Sequence, residues 1–220
     1  MVKVKRIVDL SISIFSGMSR PAVIRDFEVS HVARVEKDGF DVSEISMSSH
    51  AGTHFDAPMH FVKEGIPVDQ VSLETVVGEA VILNLTGIGP QHEITAMDLE
   101  RFTKKIKPKD IVLLYTGSDK WLDKPEYITK YPYLGAAASR WLVEMKVSTV
   151  GIDFLAVDAL YKEPLSVDAH VTLLGAGIGI VECLTNLGEV RTERPFFVAA
   201  PLKIRDGDAS PVRAFAIEFE

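Results

Sequence analysis

The sequence predicts a mixed α/β domain, and three observations carry that expectation. Residues 79–85 (EAVILNL), 110–116 (DIVLLYT) and 148–154 (STVGIDF) are short runs rich in β-formers, each read as a buried strand. Residues 95–106 and 134–145 place apolar side chains at helical spacing between them. The resulting order of strand, helix and returning strand describes βαβ units with parallel pairing. At 220 residues, 47% of them apolar, the chain is expected to form a single domain over residues 1–220, large enough for a substantial core.

Taken in order, residues 6–15 (RIVDLSISIF) read as a first strand ending at Ser16-Gly17. Residues 26–35 and 40–47 read as two strands around Lys37-Asp38-Gly39, because Asp-Gly between β-rich runs favours a hairpin. His31, with no acidic or histidine neighbour, is expected to be a solvent-facing or hydrogen-bonded strand residue. Residues 61–69 read as a loop, and His92, after Gly89-Pro90, as a surface-loop histidine. Thr95 caps the helix over 95–106 with Asp98 three residues on, Leu99, Phe102 and Ile106 share its buried stripe, and Pro108 stops it. Tyr127, Tyr131 and Tyr133 fall in a Pro-containing loop and are placed at the border of this chain's pocket or a neighbour's. Leu134, Ala138, Trp141, Leu142 and Met145 form the second helical stripe, which makes Trp141 a packing residue rather than a stacking one. Asp153 and Asp158 are read as bonding backbone amides in tight loops, with direct involvement in the site as the alternative. Gly175, Gly177 and Gly179 form a turn between helix and strand; a phosphate loop would need a Walker lysine or a helix-opening Gly-x-Gly-x-x-Gly. Residues 196–204 and 212–219, around Arg205-Asp206-Gly207-Asp208, read as a closing hairpin.

Composition excludes several functions. A net charge of −7 argues against nucleic-acid binding, which depends on basic patches. The single cysteine, Cys183, rules out an intrachain disulfide. Asp9, Ser11 and Ser13 interrupt the N-terminal apolar run, which therefore reads neither as a signal peptide nor as a membrane span. A soluble, cytoplasmic protein with no membrane partner is expected.

The chemistry concentrates in residues 49–60 (SHAGTHFDAPMH), which hold three of the six histidines. His50, His54, Asp56 and His60 all lie at even positions, so an extended backbone would turn all four to one face. Pro58 denies Ala57 the helical region, which argues against a zinc-protease helix. Imidazole nitrogens with a carboxylate oxygen suit zinc or manganese and disfavour magnesium or calcium. The alternative is a hydrogen-bonded turn in which the histidines cap backbone groups. Farther along, Glu182 stands in an apolar run, where an unpaired carboxylate is costly and a cation would relieve the cost. Cys183 is expected to point away from Glu182 as a core thiol.

The string His50-Ala51-Gly52-Thr53-His54-Phe55-Asp56-Ala57-Pro58-Met59-His60 resembles the H-x-G-T-H-x-D-x-P-x-H signature of the cyclase family of metal-dependent hydrolases, which includes bacterial kynurenine formamidase and isatin hydrolase. The segment at 168–174 (DAHVTLL) resembles the family's H-x-x-L-L, and that at 178–187 (IGIVECLTNL) its I-x-E-x-L-x-x-L. Thr116-Gly117 and Gly151-Ile152-Asp153 also resemble family strand ends. The resemblance implies a swivelling β/β/α fold with a mixed core sheet. It implies one metal on His50, His54 and Asp56 and a second on Asp56, His170 and Glu182, zinc or else manganese, with His60 left to transfer protons. It implies metal-activated water attacking a small amide or lactam, and a homodimer or homotetramer. Residues 18–23 (MSRPAV) lack the family's Pro-Gly-Asp turn and aromatic residues, so the substrate stays open. An arylformamidase-like enzyme is the first expectation, a lactam or lactone opener like isatin hydrolase the second. A non-catalytic metal- or ligand-binding protein is the third, and it would have no need of His60.

Overall fold

The structure is a computed structural model that describes residues 3–220. Its strands, in chain order, are β1 (Val4–Asp9), β2 (Glu28–Ala33), β3 (Val42–Ser46), β4 (His54–Asp56), β5 (Val77–Asn84), β6 (Glu93–Ile94), β7 (Ile111–Tyr115), β8 (Tyr133–Leu134), β9 (Thr149–Ile152), β10 (Gly179–Glu182), β11 (Phe196–Val198), β12 (Ala209–Pro211) and β13 (Phe215–Phe219). The helices are short: α1 (Val35–Asp38), α2 (Ala96–Glu100), α3 (Pro125–Thr129), α4 (Ala136–Glu144) and α5 (Asp168–Gly175).

Nine strands form one mixed sheet in the order β1-β13-β11-β5-β7-β9-β10-β4-β12. Its centre, β5-β7-β9-β10, is parallel, as the strand–helix–strand order predicts. Both flanks are antiparallel. The apolar runs are continuous because the centre is covered on both faces. Val112 and Leu114 of β7 pack with the helices, while Ile111 and Leu113 pack into a second cluster with Phe55, Phe197 and Ala216. Trp141 packs, partly buried, against the first cluster. Gly151 permits this density: a Cβ there would stand 2.5 Å from a Leu113 side-chain carbon.

Several expected elements are shorter or differently placed. The first strand ends at Asp9, whose carboxylate takes the Ser11 amide at 3.2 Å, and Ile12 then donates its amide to the Thr53 hydroxyl. The 26–47 hairpin is present, with α1 and a left-handed Gly39 (φ 82°) making its turn. The predicted Thr95–Asp98 capping box forms, but α2 stops at Glu100. The Thr103 hydroxyl bonds the Glu100 carbonyl at 2.6 Å, taking an acceptor that a continuing helix would use. Tyr127 and Tyr131 are buried core residues rather than pocket residues. β11 and β13 pair as the closing hairpin requires, yet the connection between them contributes β12, which crosses to β4. Among the described residues, no helix is long and apolar enough to cross a membrane.

Candidate metal centre

Strand pairing assembles the centre. β4 lies between β10 and β12, with Glu182 opposite His54, and Ile180 and Ala209 opposite Asp56. Phe55 alternates to the far face and packs in the core, leaving His54 and Asp56 together. The even spacing gives the right convergence for only part of the reason: His54 and Asp56 alone share a strand. His50 stands on a turn in which Gly52 has φ +66°, and His60 ends a 3-10 turn opened by Pro58. A Cβ at Gly52 would also come within 2.8 Å of the Ile14 side chain.

Five side chains converge on Asp56 or stand next to those that do. The Asp56 carboxylate lies 2.9 Å from His50 Nδ1, 3.4 Å from His54 Nε2 and 3.7 Å from His170 Nε2. Glu182 lies 3.5 Å from both His54 Nε2 and His170 Nε2. His60 offers a ring nitrogen within 4.8 Å of Asp56 and His170 donor atoms. Both Asp56 oxygens are buried without a hydrogen-bond partner. Such orphaned acceptors are costly among apolar walls, and the set of imidazoles and carboxylates around them fits a metal ion.

The charges are mutually adjusted. Burial raises the Asp56 carboxyl, but the His54, His170 and His50 imidazoles outweigh it and hold the group well below the usual carboxylate range. Burial lowers His50, yet the Asp56 and Asp208 carboxylates beside it carry it up to about 9. His170 is likewise lowered by burial and raised more strongly by Asp158, Asp56 and Glu182. For His60 burial wins and pushes its pKa down.

Each inward histidine is held from behind. His54 Nδ1 donates to the Gly52 carbonyl at 2.8 Å, and His170 Nδ1 faces Asp158 at 2.6 Å. Asp158 also accepts the amides of Ala169 and His170 at the start of α5, so the amide-bonding expectation is met and an imidazole contact is added to it. His50 Nε2 faces Asp208 at 2.9 Å. Asp208 carried no signal in the sequence: it lies 158 residues from His50, in a segment read as a hairpin turn. The register of β12 on β4 brings it in, anchored where the Ala57 amide donates to its carbonyl.

A cavity of about 240 Å³ opens onto the centre, lined by His50, His54, His60, His170 and Glu182 on one side. Its other walls are mainly apolar, including Met18, Ile24, Phe61, Leu155 and Leu165, with Ser19 and Arg20 among them. Cys183 is the buried core thiol expected, but it also lines this cavity beside Glu182, because its backbone turns to φ +58° and strand alternation ends there. His31 bonds Ser43 across the hairpin and His92 lies beside Asp98, both apart from the centre.

Comparison with known proteins bears on this arrangement. The family model described as Putative cyclase matches residues 8–159. A kynurenine formamidase of Geobacillus thermodenitrificans (strain NG80-2) is 34% identical over 184 residues, covering 82% of each chain. Isatin hydrolase A from Labrenzia aggregata, solved bound to benzyl benzoate, superposes with a TM-score of 0.89 at 27% identity, over 98% of this chain and 94% of that one. A structure described as a potential metal-dependent hydrolase with cyclase activity gives 0.80 at 30% identity, over 98% of both chains. The chain belongs to the cyclase family and has the cyclase-like fold.

Proposed function

We propose that this protein is a metal-dependent hydrolase that cleaves the C–N bond of a small amide, arylformamidase-like in the sense of its kynurenine formamidase relatives. The observation that carries the reading is Asp56, buried with both oxygens unpartnered among three imidazoles and Glu182. His50, His54 and Asp56 would hold one ion, and Asp56, His170 and Glu182 a second, with zinc the first choice and manganese the next. When bound, the metal supplies an acidified water and a Lewis acid for the carbonyl oxygen.

The chain's own residues supply the rest. His60 lines the cavity beside the centre, and its lowered pKa keeps the imidazole neutral at pH 7. A neutral imidazole takes the proton of the attacking water and returns it to the leaving nitrogen, a contribution of about 10²–10⁴-fold. The apolar walls exclude water and seat the flat, uncharged part of the substrate. The cavity's one arginine, Arg20, is already engaged by Asp26 at 3.3 Å. That pairing favours, as a second reading, an uncharged lactam like the substrate named for isatin hydrolase.

The test is a hydrolysis screen over N-formyl arylamines, isatin and small lactams with zinc and with manganese. Turnover of the first group supports the formamidase reading, and turnover of isatin or a lactam alone supports the second. Metal binding without turnover of any of them leaves a binding protein. We also propose a homodimer or homotetramer. The 28–46 hairpin exposes Val29, Val32, Phe40 and Ile45, and a two-stranded ribbon is marginal unless something packs on it. Light scattering that returns a monomer mass at micromolar concentration rejects this.

A further inference from the structure

We infer that Asp208 is a positioning residue that sets the orientation and proton placement of two histidines at once, His50 and His60. The inference rests on the metal-centre reading above and deepens it. Its basis is a pattern: each inward histidine presents one ring nitrogen to the centre and has the other held by an acceptor. For His54 that acceptor is the Gly52 carbonyl, and for His170 it is Asp158. For His50 the inward atom is Nδ1, 2.9 Å from Asp56, and the outward atom is Nε2, 2.9 Å from Asp208. Histidines that ligate metals commonly donate their second N–H to a carboxylate or carbonyl, which fixes the tautomer and the ring plane. Asp208 completes that set.

The same carboxylate reaches further than the other two acceptors. Its Oδ2 atom lies 3.5 Å from His60 Nδ1, and the His50 and His60 rings sit 4.2 Å apart between centroids. A proton kept on His60 Nδ1 leaves Nε2 with the free lone pair that a base needs. Asp208 is itself fixed: the Ser49 hydroxyl donates to Oδ1 at 3.0 Å, and its backbone is tied to Ala57. One carboxylate on the β12 approach therefore registers a ligand candidate and the proton-transfer candidate against each other.

The test compares wild type, Asp208→Ala and Asp208→Asn by zinc titration and by proton–nitrogen correlation spectra of the zinc-loaded proteins. In wild type, His50 is expected to coordinate through Nδ1 and keep its proton on Nε2. Asp208→Ala is expected to weaken zinc binding by about 10–100-fold, the usual loss when such a partner is removed, and to shift the His50 and His60 ring signals. Asp208→Asn, whose amide oxygen still accepts, is expected to recover part of that loss, and it carries the test if the alanine variant does not fold. Wild-type zinc affinity in a folded variant overturns the assignment. So does a zinc-loaded wild type in which His50 coordinates through Nε2, because Asp208 would then belong to a metal site with His50 and His60. Neither readout needs turnover. Zinc binding with the expected His50 signature but no hydrolysis of any amide or lactam defeats the hydrolase reading and leaves the positioning role standing. With a substrate in hand, kcat at saturating zinc is expected to fall in Asp208→Ala with KM little changed, and an unchanged kcat overturns the His60 half.

Discussion

Asp56 and Asp153 are both fully buried carboxylates, one on a strand of the central sheet and one at the end of another, and their surroundings are opposite. Asp153, just past β9, accepts the Thr116 and Gly117 amides at 3.0 and 2.6 Å and the Thr116 hydroxyl at 2.6 Å. Asp56, on β4, accepts no hydrogen bond that meets normal geometry, and imidazoles surround it instead. Burial prevails at Asp153 and pushes it up to about 7, while the histidines prevail at Asp56 and hold it down. The difference teaches that burial alone does not mark a functional carboxylate. Asp153 ties two loops together, whereas Asp56 keeps both oxygens unpartnered among imidazoles, which is what the metal proposal starts from.

The largest effect that can break this comparison is on metal binding. Asp56→Asn is expected to lose bound zinc and hydrolysis together, while Asp153→Asn keeps both. Elemental analysis with a rate assay decides; loss of zinc from the Asp153 variant would remove the distinction. Stability reads the same contrast. Free zinc at about 100 times its Kd should stabilise wild type and Asp153→Asn by about 2.7 kcal/mol and leave Asp56→Asn unmoved. Urea unfolding with and without zinc measures it, and a chelator should reverse the gain.

His60 sharpens the comparison inside the centre. His60→Ala is expected to retain metal and lose about 10²–10⁴-fold in turnover, or about 3–5 kcal/mol of barrier stabilisation. His54→Ala is expected to lose metal and turnover together. Full activity in the His60 variant ends its proton-transfer role. On the structural side, Asp153→Asn points an amide N–H at backbone donors, and a destabilisation of about 1–3 kcal/mol is expected with normal metal content.

The parallel centre of the sheet was legible in the sequence because β5, β7 and β9 are buried on both faces and write unbroken apolar runs. The local part of the centre was legible because His50, His54, Asp56 and His60 lie within one short stretch. His170 and Glu182 were reached through a family resemblance and the cost of a carboxylate in an apolar run. Asp208 had no such signal, since a register between β12 and β4 places it and register is a tertiary property. Asp158 was read first for its backbone amides, with a part in the site as the alternative, because the path of the chain from Asp158 to α5 brings it under His170 and no local spacing encodes that. The end of α2 escaped for a smaller reason: the helical stripe at 99, 102 and 106 stays buried even though the backbone turns 3-10 after Glu100.

The last contrast is a slope of stability with pH, and it separates the two aspartates without touching metal or rate. Asp153 has a folded value of about 7 against an ordinary 3.8, so between those values the folded state holds a proton that the unfolded chain has released. Stability therefore falls as pH rises through that window and levels off above it, with a slope of at most about 1.4 kcal/mol per pH unit. Carboxylates held below their usual value, such as Asp9, Asp98 and Asp208, act at lower pH and with the opposite sign. His50, raised from 6.5 to about 9 in the metal-free protein, adds a fall in stability across that interval, which is common to both proteins and cancels between them. The clean quantity is thus the difference in unfolding free energy between wild type and Asp153→Asn, both zinc-loaded, from pH 5 to 8. That difference should decline as pH rises to about 7 and then stay flat. A difference that does not change across the range would mean that Thr116 and Gly117 keep Asp153 ionised throughout, and the two buried carboxylates would then differ in their partners but not in their charge.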